Sequence, residues 1–421
     1  MAQKAITTEN APLHCMEERF YSRLGRALKP GVIARVVLAA FERARRGEKL
    51  ISLTGGSYDP MSLPVKEVEE VLRDIPPEDW RGILQYGSNL GSGRLRAELA
   101  KFSGEAGIEA DPEGEIIVTT GSQQALDLIS RVFLDPGDRV IVGEPTYLQA
   151  LASFRLYGAE VETVPLDEEG MRIDALERKL RKLSAEGRRV KLLYTVPSYQ
   201  NPTATVMPEH RRRRLVELAE EYDFLIVEDN PYGYISFEGP MPKPIKAYDD
   251  IGRVIYLSTF SKIVSPGLRI GWAIGRRRFI EKMALAKMNA DICSDGLSQY
   301  VAAELLRRGH VHRLIERVRR VYREKRDLML ESMELHFPEE AEWREPRGGL
   351  FLWVKMPEGF DADALLDEAL KRGVAYIPGS NFYTDPNIRN YLRLNYSYPS
   401  REEIAEGIRI LGDLFSEALK S

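Results

Sequence analysis

A single lysine, Lys262, stands in a turn of small hydroxyl residues between two apolar runs. The stretch from Ser258 to Trp272 reads STFSKIVSPGLRIGW. A lysine at a strand end can extend along its apolar stem to solvent. A lysine held in a closed site instead loses its proton more readily, and its neutral amine becomes a nucleophile for carbonyl groups. Arg269, seven positions later, places a cation within reach of the same turn.

Pyridoxal 5'-phosphate (PLP) is the cofactor whose aldehyde such a lysine holds. Its ring nitrogen needs a carboxylate, and Asp229 ends the apolar run FLIVED. Its ring oxygen needs hydrogen-bond donors, for which Asn201 and Tyr232 follow neighbouring runs. Tyr147 is a candidate to stack on the ring face. Each residue alone has an ordinary explanation, such as a turn aspartate, but together they match the needs of one ligand.

The phosphate group of that cofactor needs amide and hydroxyl donors and a cation. The stretch GSQQALDLI follows the apolar run EIIVTT and reads as the start of a helix. The free N–H groups of a helix N-terminus bind anions. The candidates for contact with the phosphate are Ser122, Gln123, Thr259, Ser261 and Arg269.

These candidates follow apolar runs that are typical of strands. From about residue 115, short runs such as RVIVGE and VKLLYTV alternate with helical patterns such as SQQALDLISRVFL. Runs that are apolar on both faces indicate strands of a parallel sheet covered by helices, so we predict an α/β fold with a mainly parallel sheet. Ligands of such sheets bind at the carboxyl ends of the strands, where the candidates lie.

The pattern changes after about residue 276. A long amphipathic stretch reaches about residue 335, and fewer strand-like runs follow, among them GGLFLWVKM, VAYIP and YLRLNYSY. We therefore predict a smaller α+β domain beside the large one. We place an N-terminal segment at 1–50, packed on the small domain or the active site. The large cofactor-binding domain then spans 51–310 and the small C-terminal domain 311–421.

Seven motifs in this order resemble the fold-type I PLP-dependent aminotransferases of class I/II. They are TTGSQQALDLI, PGDRVIVGEPTY, YTVPSYQNPT, FLIVEDNPYGY, STFSKIVSPGLRIGW, PRGGLFLWV and YLRLNYS. Within that family the sequence is similar to the group that contains the α-aminoadipate, kynurenine and multi-substrate aromatic aminotransferases. The resemblance covers nearly the whole chain, from about residue 50 to about residue 391.

The resemblance implies a role for each candidate. Lys262 binds PLP covalently, and Asp229 and Tyr232 join it as catalytic residues. The implied cofactor contacts are Lys262, Ser122, Gln123, Tyr147, Asn201, Asp229, Tyr232, Thr259, Ser261, Arg269 and Tyr86. The implied substrate contacts are Arg393, Asn201, Gly56 and Arg23. Of these, Arg393 binds the α-carboxylate of the substrate, and Arg23 binds the second carboxylate of a dicarboxylic substrate.

Tyr86 lies in the glycine-rich stretch QYGSNLGSGRLR, which lacks the Gly-Lys-Ser/Thr ending of a P-loop. In the family, the tyrosine of a similar stretch reaches the phosphate of the neighbouring subunit. The resemblance therefore implies a homodimer with shared active sites. The chain departs from the family at Ser57, where relatives commonly have leucine, and this leaves the substrate side chain open.

The implied reaction is aminotransfer. The donor is 2-aminoadipate, an aromatic amino acid, kynurenine or a branched-chain amino acid, and the acceptor is a 2-oxo acid, 2-oxoglutarate. Lys262, once freed, moves a proton at the α carbon. Two alternatives stay open. One is another PLP reaction on this fold, β-elimination or decarboxylation. The other is a MocR-type regulator, which carries an N-terminal DNA-binding domain, whereas about 50 residues precede the motif LISLTGG here.

Composition argues against several other classes of protein. The net charge is -4 with a pI near 6.0, so we expect no nucleic-acid partner and interpret the run RRRR at 211–214 as a solvated helix face. We find neither a signal-peptide core nor an apolar run of membrane-spanning length, and we expect a cytoplasmic protein without membrane contact. Two distant cysteines and scattered histidines predict neither a disulfide nor a metal site.

Overall fold

The computed structural model describes residues 18–28 and 31–420. The strands β1 to β14 span, in chain order, Ile51–Ser52, Ile116–Thr119, Arg139–Glu144, Glu160–Asp167, Gly170–Met171, Val190–Thr195, Leu225–Asp229, Val254–Thr259, Gly271–Ile274, Glu342–Trp343, Phe351–Lys355, Val374–Ala375, Ile377–Pro378 and Tyr391–Asn395.

The helices α1 to α14 span, in chain order, Arg23–Ala27, Val32–Arg45, Val65–Arg73, Asp79–Ile83, Gly93–Gly104, Ser122–Phe133, Leu148–Leu156, Ile173–Ala185, Glu209–Glu221, Arg277–Met288, Gly296–Arg307, His310–His336, Ala362–Lys371 and Arg401–Lys420. Short 3₁₀ helices lie at Glu18–Phe20, Pro60–Ser62, Ile245–Tyr248 and Gly379–Phe382.

An eight-stranded sheet dominates the molecule, with the order β2-β9-β8-β7-β6-β3-β4-β5. Its central pairs, from β8 to β4, are parallel, and its two edges are antiparallel. Strands β2, β8 and β9 are buried along their whole length, as the apolar runs on both faces require. The predicted α/β fold with a mainly parallel sheet is confirmed.

A second, four-stranded sheet has the order β10-β11-β14-β13 and is antiparallel. In its register, Arg393 of β14 lies opposite Trp353 on one side and Ile377 on the other. The single run VAYIP forms two strands, β12 and β13, and β12 pairs with β1 across more than 300 positions of sequence. Residues 51–52 are therefore joined to the part of the chain that contains the second sheet.

The run RRRR lies at the start of α9, and its prediction as a solvated face is wrong for Arg212. That side chain is only 1% exposed, whereas the neighbouring Arg213 is exposed on the helix surface. Helix α9 packs on the large sheet through residues that include Leu215 and Ala219. Arg212 is three positions before Leu215, so it lies on the same inward face of the helix.

The closest histidine pair, His310 and His312, lies at the start of α12. His312 Nε2 lies 2.8 Å from Glu105 Oε2, and Arg313 Nη2 lies 2.7 Å from His310 Nδ1. Within residues 18–28 and 31–420, no group of three or more His, Cys, Asp or Glu side chains is arranged to hold a metal ion. None of the helices in the same ranges combines the length and apolar character that crossing a membrane requires.

Candidate active site

A cavity of about 250 Å³ opens at the carboxyl ends of the central strands, between the two sheets. This is the position at which parallel sheets bind ligands. The cavity takes residues from β7, β8, β11 and β14 and from the N-termini of α6 and α7. The predicted site residues among its lining are Gly56, Ser122, Gln123, Tyr147, Asn201, Asp229, Tyr232, Thr259, Ser261, Lys262, Arg269 and Arg393.

Lys262 follows β8 and is half-buried, and its Nζ donates a hydrogen bond of 2.6 Å to the carbonyl oxygen of Gly56. Burial, together with the guanidinium groups of Arg393 and Arg269, lowers the pKa of Lys262 to about 8, against the opposing charge of Asp229. A Cβ atom at Gly56 would lie 2.8 Å from the Phe351 ring. Glycine at this position therefore leaves room for the Phe351 ring beside the hydrogen bond to the lysine.

Asp229 ends β7 and is buried. Its Oδ2 accepts a hydrogen bond of 2.8 Å from the hydroxyl of Tyr194. Its Oδ1 is also buried and has no hydrogen-bond partner within the described residues. Burial raises the pKa of Asp229 to about 6, while the Tyr194 hydroxyl and the charge of Lys262 act in the opposite direction. A buried carboxylate oxygen without a partner fits a ligand that brings an N–H donor.

The N-terminus of α6 forms an anion cradle beside the lysine. Gly121 has φ of 76° and precedes the helix, and a Cβ atom there would lie 2.5 Å from Arg269 Nη2. Arg269 donates to the Thr120 carbonyl at 3.2 Å and to Ser261 Oγ at 3.4 Å. Free helix amides, a hydroxyl and a guanidinium are the donors that a phosphate group needs.

Two further predicted phosphate contacts lie at the edge of this cradle. Thr259 Oγ lies 2.9 Å from Ser261 Oγ and donates to the Ile270 carbonyl at 3.0 Å. Gln123 lines the cavity, but its side-chain amide donates to Ser153 Oγ at 3.0 Å. Because that side chain is engaged elsewhere, the backbone N–H of Gln123 in the first turn of α6 is the group available to bind a phosphate.

Arg393 is 3% exposed and lies over the ring of Phe351 at 3.9 Å. Its Nη1 donates a hydrogen bond of 2.7 Å to Asn201 Oδ1, and its Nη2 donates a hydrogen bond to the Thr54 carbonyl. Asn201 in turn donates to the Tyr232 hydroxyl at 3.4 Å. Burial lowers the pKa of Arg393 to about 10. Its Nε is buried without a hydrogen-bond partner in the described part of the chain.

Tyr147 directly precedes α7 and lines the cavity. Burial and the nearby Asp229 raise the pKa of Tyr147 to about 12, and burial raises that of Tyr232 as well. Both phenols therefore remain protonated at neutral pH and can donate hydrogen bonds.

Among the described side chains, Tyr86 is the predicted site residue that is not part of this cavity. Tyr86 is 76% exposed and lies outside the cavity lining of its own chain. Helix α1 begins at Arg23, but the Arg23 side chain lies outside the described residues.

The prediction from sequence missed two residues of the site. Tyr194 contacts Asp229 from the neighbouring strand β6, and Phe351 begins β11 and lies below Arg393. The signal for Tyr194 is a hydroxyl in the otherwise apolar run VKLLYTV. Phe351 carries no such signal, because an aromatic residue in a strand is typical of a core position.

The family profile described as aminotransferase class I and II matches residues 48–411. The chain belongs to the class I and II aminotransferases. The aromatic-amino-acid aminotransferase 1 of Thermococcus litoralis is 42% identical, with 96% of this chain and 95% of the relative covered. The 2-aminoadipate transaminase of Thermus thermophilus is 40% identical, with 86% of this chain and 89% of the relative covered.

A solved structure shows the same architecture. The kynurenine aminotransferase of Pyrococcus horikoshii, in complex with PMP, has a TM-score of 0.91 to this chain at 42% identity, with 97% of this chain and 100% of that one covered. The protein is thus a fold-type I aminotransferase of this group, its cofactor is pyridoxal 5'-phosphate, and it moves an amino group from an amino acid to a 2-oxo acid. The residues of the cavity fit that cofactor, because Asp229 Oδ1 and the α6 cradle match its ring nitrogen and its phosphate.

Proposed function

We propose that this cavity is the catalytic site and that Lys262, Asp229 and Arg393 carry the reaction. The observation that supports this is the incomplete hydrogen bonding of Asp229 and Arg393. Both are buried, both line the cavity, and each has a buried polar atom without a partner in the described part of the chain. Buried polar groups are normally paired, so these two atoms are expected to meet ligand atoms.

The cavity residues include a candidate partner for each part of PLP. Lys262 would bind its aldehyde carbon, Asp229 would pair with its ring nitrogen, and Asn201 with Tyr232 would donate to its ring oxygen. Tyr147 would contact its ring face. When bound, PLP would supply a ring that accepts the electron pair left at the substrate's α carbon. The phosphate contacts would be Ser122, Gln123, Thr259, Ser261, Arg269 and, from a second subunit, Tyr86.

Lys262 is the proposed acid and base at the α carbon. Burial and two neighbouring arginines lower its pKa to about 8, which is close to the pH at which the amine must both accept and return a proton. Gly56 fixes the amine through a hydrogen bond of 2.6 Å to its carbonyl oxygen.

Arg393 is the proposed partner of the substrate's α-carboxylate. Its planar guanidinium presents several N–H donors in a fixed plane, which suits a carboxylate. Phe351 below the guanidinium, at 3.9 Å, holds that plane in place. Since Arg393 comes from the second sheet and Lys262 from the first, a bound amino acid would connect the two parts of the molecule. We propose the large domain at 51–310 and the small domain at 311–421 for these parts, with residues 1–50 as the N-terminal segment.

The proposed donors are 2-aminoadipate, aromatic amino acids, kynurenine and branched-chain amino acids, and the proposed acceptor is 2-oxoglutarate. Relatives at 40–42% identity are an aromatic-amino-acid aminotransferase, a 2-aminoadipate transaminase and a kynurenine aminotransferase. We propose Asn201, Gly56 and Arg23 as further substrate contacts, with Arg23 for the second carboxylate of a dicarboxylic donor.

We also propose a cytoplasmic homodimer that shares its active sites through Tyr86. Tyr86 is 76% exposed and absent from the cavity of its own chain, and the neighbouring Leu84 is equally exposed. Co-refolding of Lys262→Ala with Tyr86→Ala chains tests the exchange. Hybrid dimers would then contain one intact site, and activity should return to about one quarter of wild type for random pairing. Only the average of the two inactive parents would return if Tyr86 served its own chain.

A panel of amino donors assayed with 2-oxoglutarate tests the proposed reaction. We expect stoichiometric formation of glutamate and of the 2-oxo acid that corresponds to the donor. Release of ammonia or CO₂ without a new amino acid would instead assign the site to elimination or decarboxylation.

A further inference from the structure

We propose that Arg212 is a positioning residue for the catalytic site. It fixes the loop 197–207 from behind the sheet and so holds Asn201 in place against Arg393. This inference rests on the proposed function in one respect, the role of Asn201 and Arg393 in binding the substrate. It gives a function to the arginine run at 211–214, to which the proposed reaction assigns no role.

The guanidinium of Arg212 is almost completely buried and satisfies four acceptors from the surrounding backbone and side chains. Its Nε donates to the Met207 carbonyl at 2.7 Å, and its Nη2 donates to the Pro197 carbonyl at 2.8 Å. Nη2 also lies 3.0 Å from Ser198 Oγ, and Nη1 donates to the Lys243 carbonyl at 3.2 Å. Three of these acceptors belong to the two ends of one loop.

The loop is closed at the same place. The Met207 amide donates to the Pro197 carbonyl at 2.8 Å, so Arg212 binds both residues that form the base of the loop. Gln200 organises its interior, since its amide donates to the Thr205 carbonyl at 3.0 Å and its side chain donates to the Pro145 carbonyl at 2.8 Å. Asn201 follows directly and accepts from Arg393 Nη1 at 2.7 Å.

Arg212 also connects this loop to the strand that carries Asp229. Its Nη1 lies 4.0 Å from Glu228 Oε1, and Glu228 directly precedes Asp229 in β7. A lysine would keep the charge beside Glu228, but its single ammonium group cannot reach acceptors spread around a planar guanidinium. The geometry of the donors, beyond the charge, is therefore what holds the loop.

The variant Arg212→Lys tests this in the full-length holoenzyme, with Arg213→Lys as the matched control. Arg213 is the next residue, is 56% exposed in its side chain and pairs with Glu209 at 2.8 Å on the helix surface. Hydrogen exchange should accelerate at least about 10-fold at the amides of 199–207 in Arg212→Lys and remain unchanged in the control. KM for amino donors should rise at least about 5-fold, with kcat changed less.

A double-mutant cycle with Asn201→Ala identifies the route of the effect. If Arg212 acts through Asn201, Arg212→Lys should change KM less than about 2-fold in the Asn201→Ala background. Additive effects, or a loss of kcat at unchanged KM that follows the folded fraction, would overturn the proposal, as would unchanged exchange in the loop. If Asn201→Ala itself leaves KM unchanged, the proposed role of Asn201 fails, and loop exchange alone then decides whether Arg212 anchors the loop.

Discussion

Strand β7 ends in two consecutive carboxylates, Glu228 and Asp229, which are both buried and point to opposite faces of the sheet. Glu228 lies on the back face of the sheet, beside Arg212 of α9, and its two oxygens accept hydrogen bonds from the backbone amides of Ile245 and Lys246 at 2.8 Å each. Asp229 lies on the site face, which meets the cavity. One of its oxygens accepts a hydrogen bond from Tyr194, and the other has no partner among the described residues. The two carboxylates thus differ in their partners although they share their burial.

The two buried arginines repeat this contrast. Arg212, on the back face, donates to four acceptors, whereas Arg393, which enters the cavity from the second sheet, keeps a buried Nε without a partner in the described ranges. Burial of a charged side chain therefore does not by itself indicate a functional site. Incomplete hydrogen bonding within a cavity does, because a buried unpaired group is costly unless a ligand completes it.

Among the four buried residues Asp229, Arg393, Tyr194 and Glu228, the largest effect on turnover is expected for Asp229→Asn. An amide cannot hold a proton on the cofactor's ring nitrogen as a carboxylate does, so kcat should fall at least about 100-fold. Cofactor content and thermal stability should stay near wild type, and both are measured on the same sample. A variant that retains single-turnover rates near wild type would show that the free oxygen of Asp229 has no part in the reaction.

Arg393→Ala should have the second-largest effect on activity. A hydrogen bond to a charged group contributes about 1.5–3 kcal/mol, so kcat/KM should fall at least about 10-fold for every amino donor. Amines that lack a carboxylate provide the control, since they cannot use this arginine. An equal loss for those amines would mean that Arg393 acts on the fold and that its incomplete bonding has another cause.

Tyr194→Phe should have a smaller effect, of about 2- to 10-fold on kcat, because it removes one neutral donor from the carboxylate. The hydroxyl opposes the increase in the pKa of Asp229 that burial causes. Loss of the hydroxyl should raise the pKa of Asp229 further, so that the carboxyl is protonated over a wider range of pH. The acidic limb of the kcat/KM profile should therefore move to higher pH. A profile that does not move would separate Tyr194 from the ionisation of Asp229.

Glu228→Gln should have the smallest effect on turnover, less than about 3-fold, and should instead destabilise the fold by about 1–3 kcal/mol. Burial raises the pKa of Glu228 to about 7 from an ordinary value of 4.5. The folded state then binds this proton more tightly than the unfolded chain does, so its contribution to stability is present below pH 4.5 and lost as the pH rises through 7. The difference in Tm between wild type and variant should shrink from pH 5 to pH 8. A constant difference would contradict the role of this carboxyl group.

The site face was predictable from sequence because its residues occupy recognisable positions. Lys262, Asp229 and Tyr232 follow apolar runs, and the rule that ligands bind at the carboxyl ends of parallel strands brings them together. The family motifs added Arg393, which β14 places at the cavity through its pairing with β11. The regular alternation of strands and helices was sufficient for the large sheet.

The back face was not predictable in the same way. Arg212 reads as one of four surface arginines, and its burial depends on carbonyl groups that a loop brings back from 5 and 15 positions away. The pairing of Ile51–Ser52 with Val374–Ala375 has no local signal either, because it depends on the packing of distant segments. Local sequence patterns identify strand ends and motifs, whereas tertiary contacts determine which groups pair with a buried charge.

A crystal structure of the holoenzyme tests the contrast between the two faces most directly. We expect continuous density between Lys262 Nζ and the cofactor, its phosphate at the N-terminus of α6, and its ring nitrogen within about 3 Å of Asp229 Oδ1. Glu228 and Arg212 should keep their present partners. A cofactor whose ring nitrogen lies away from Asp229, with that oxygen still unpaired or bound to another protein group, would contradict the account.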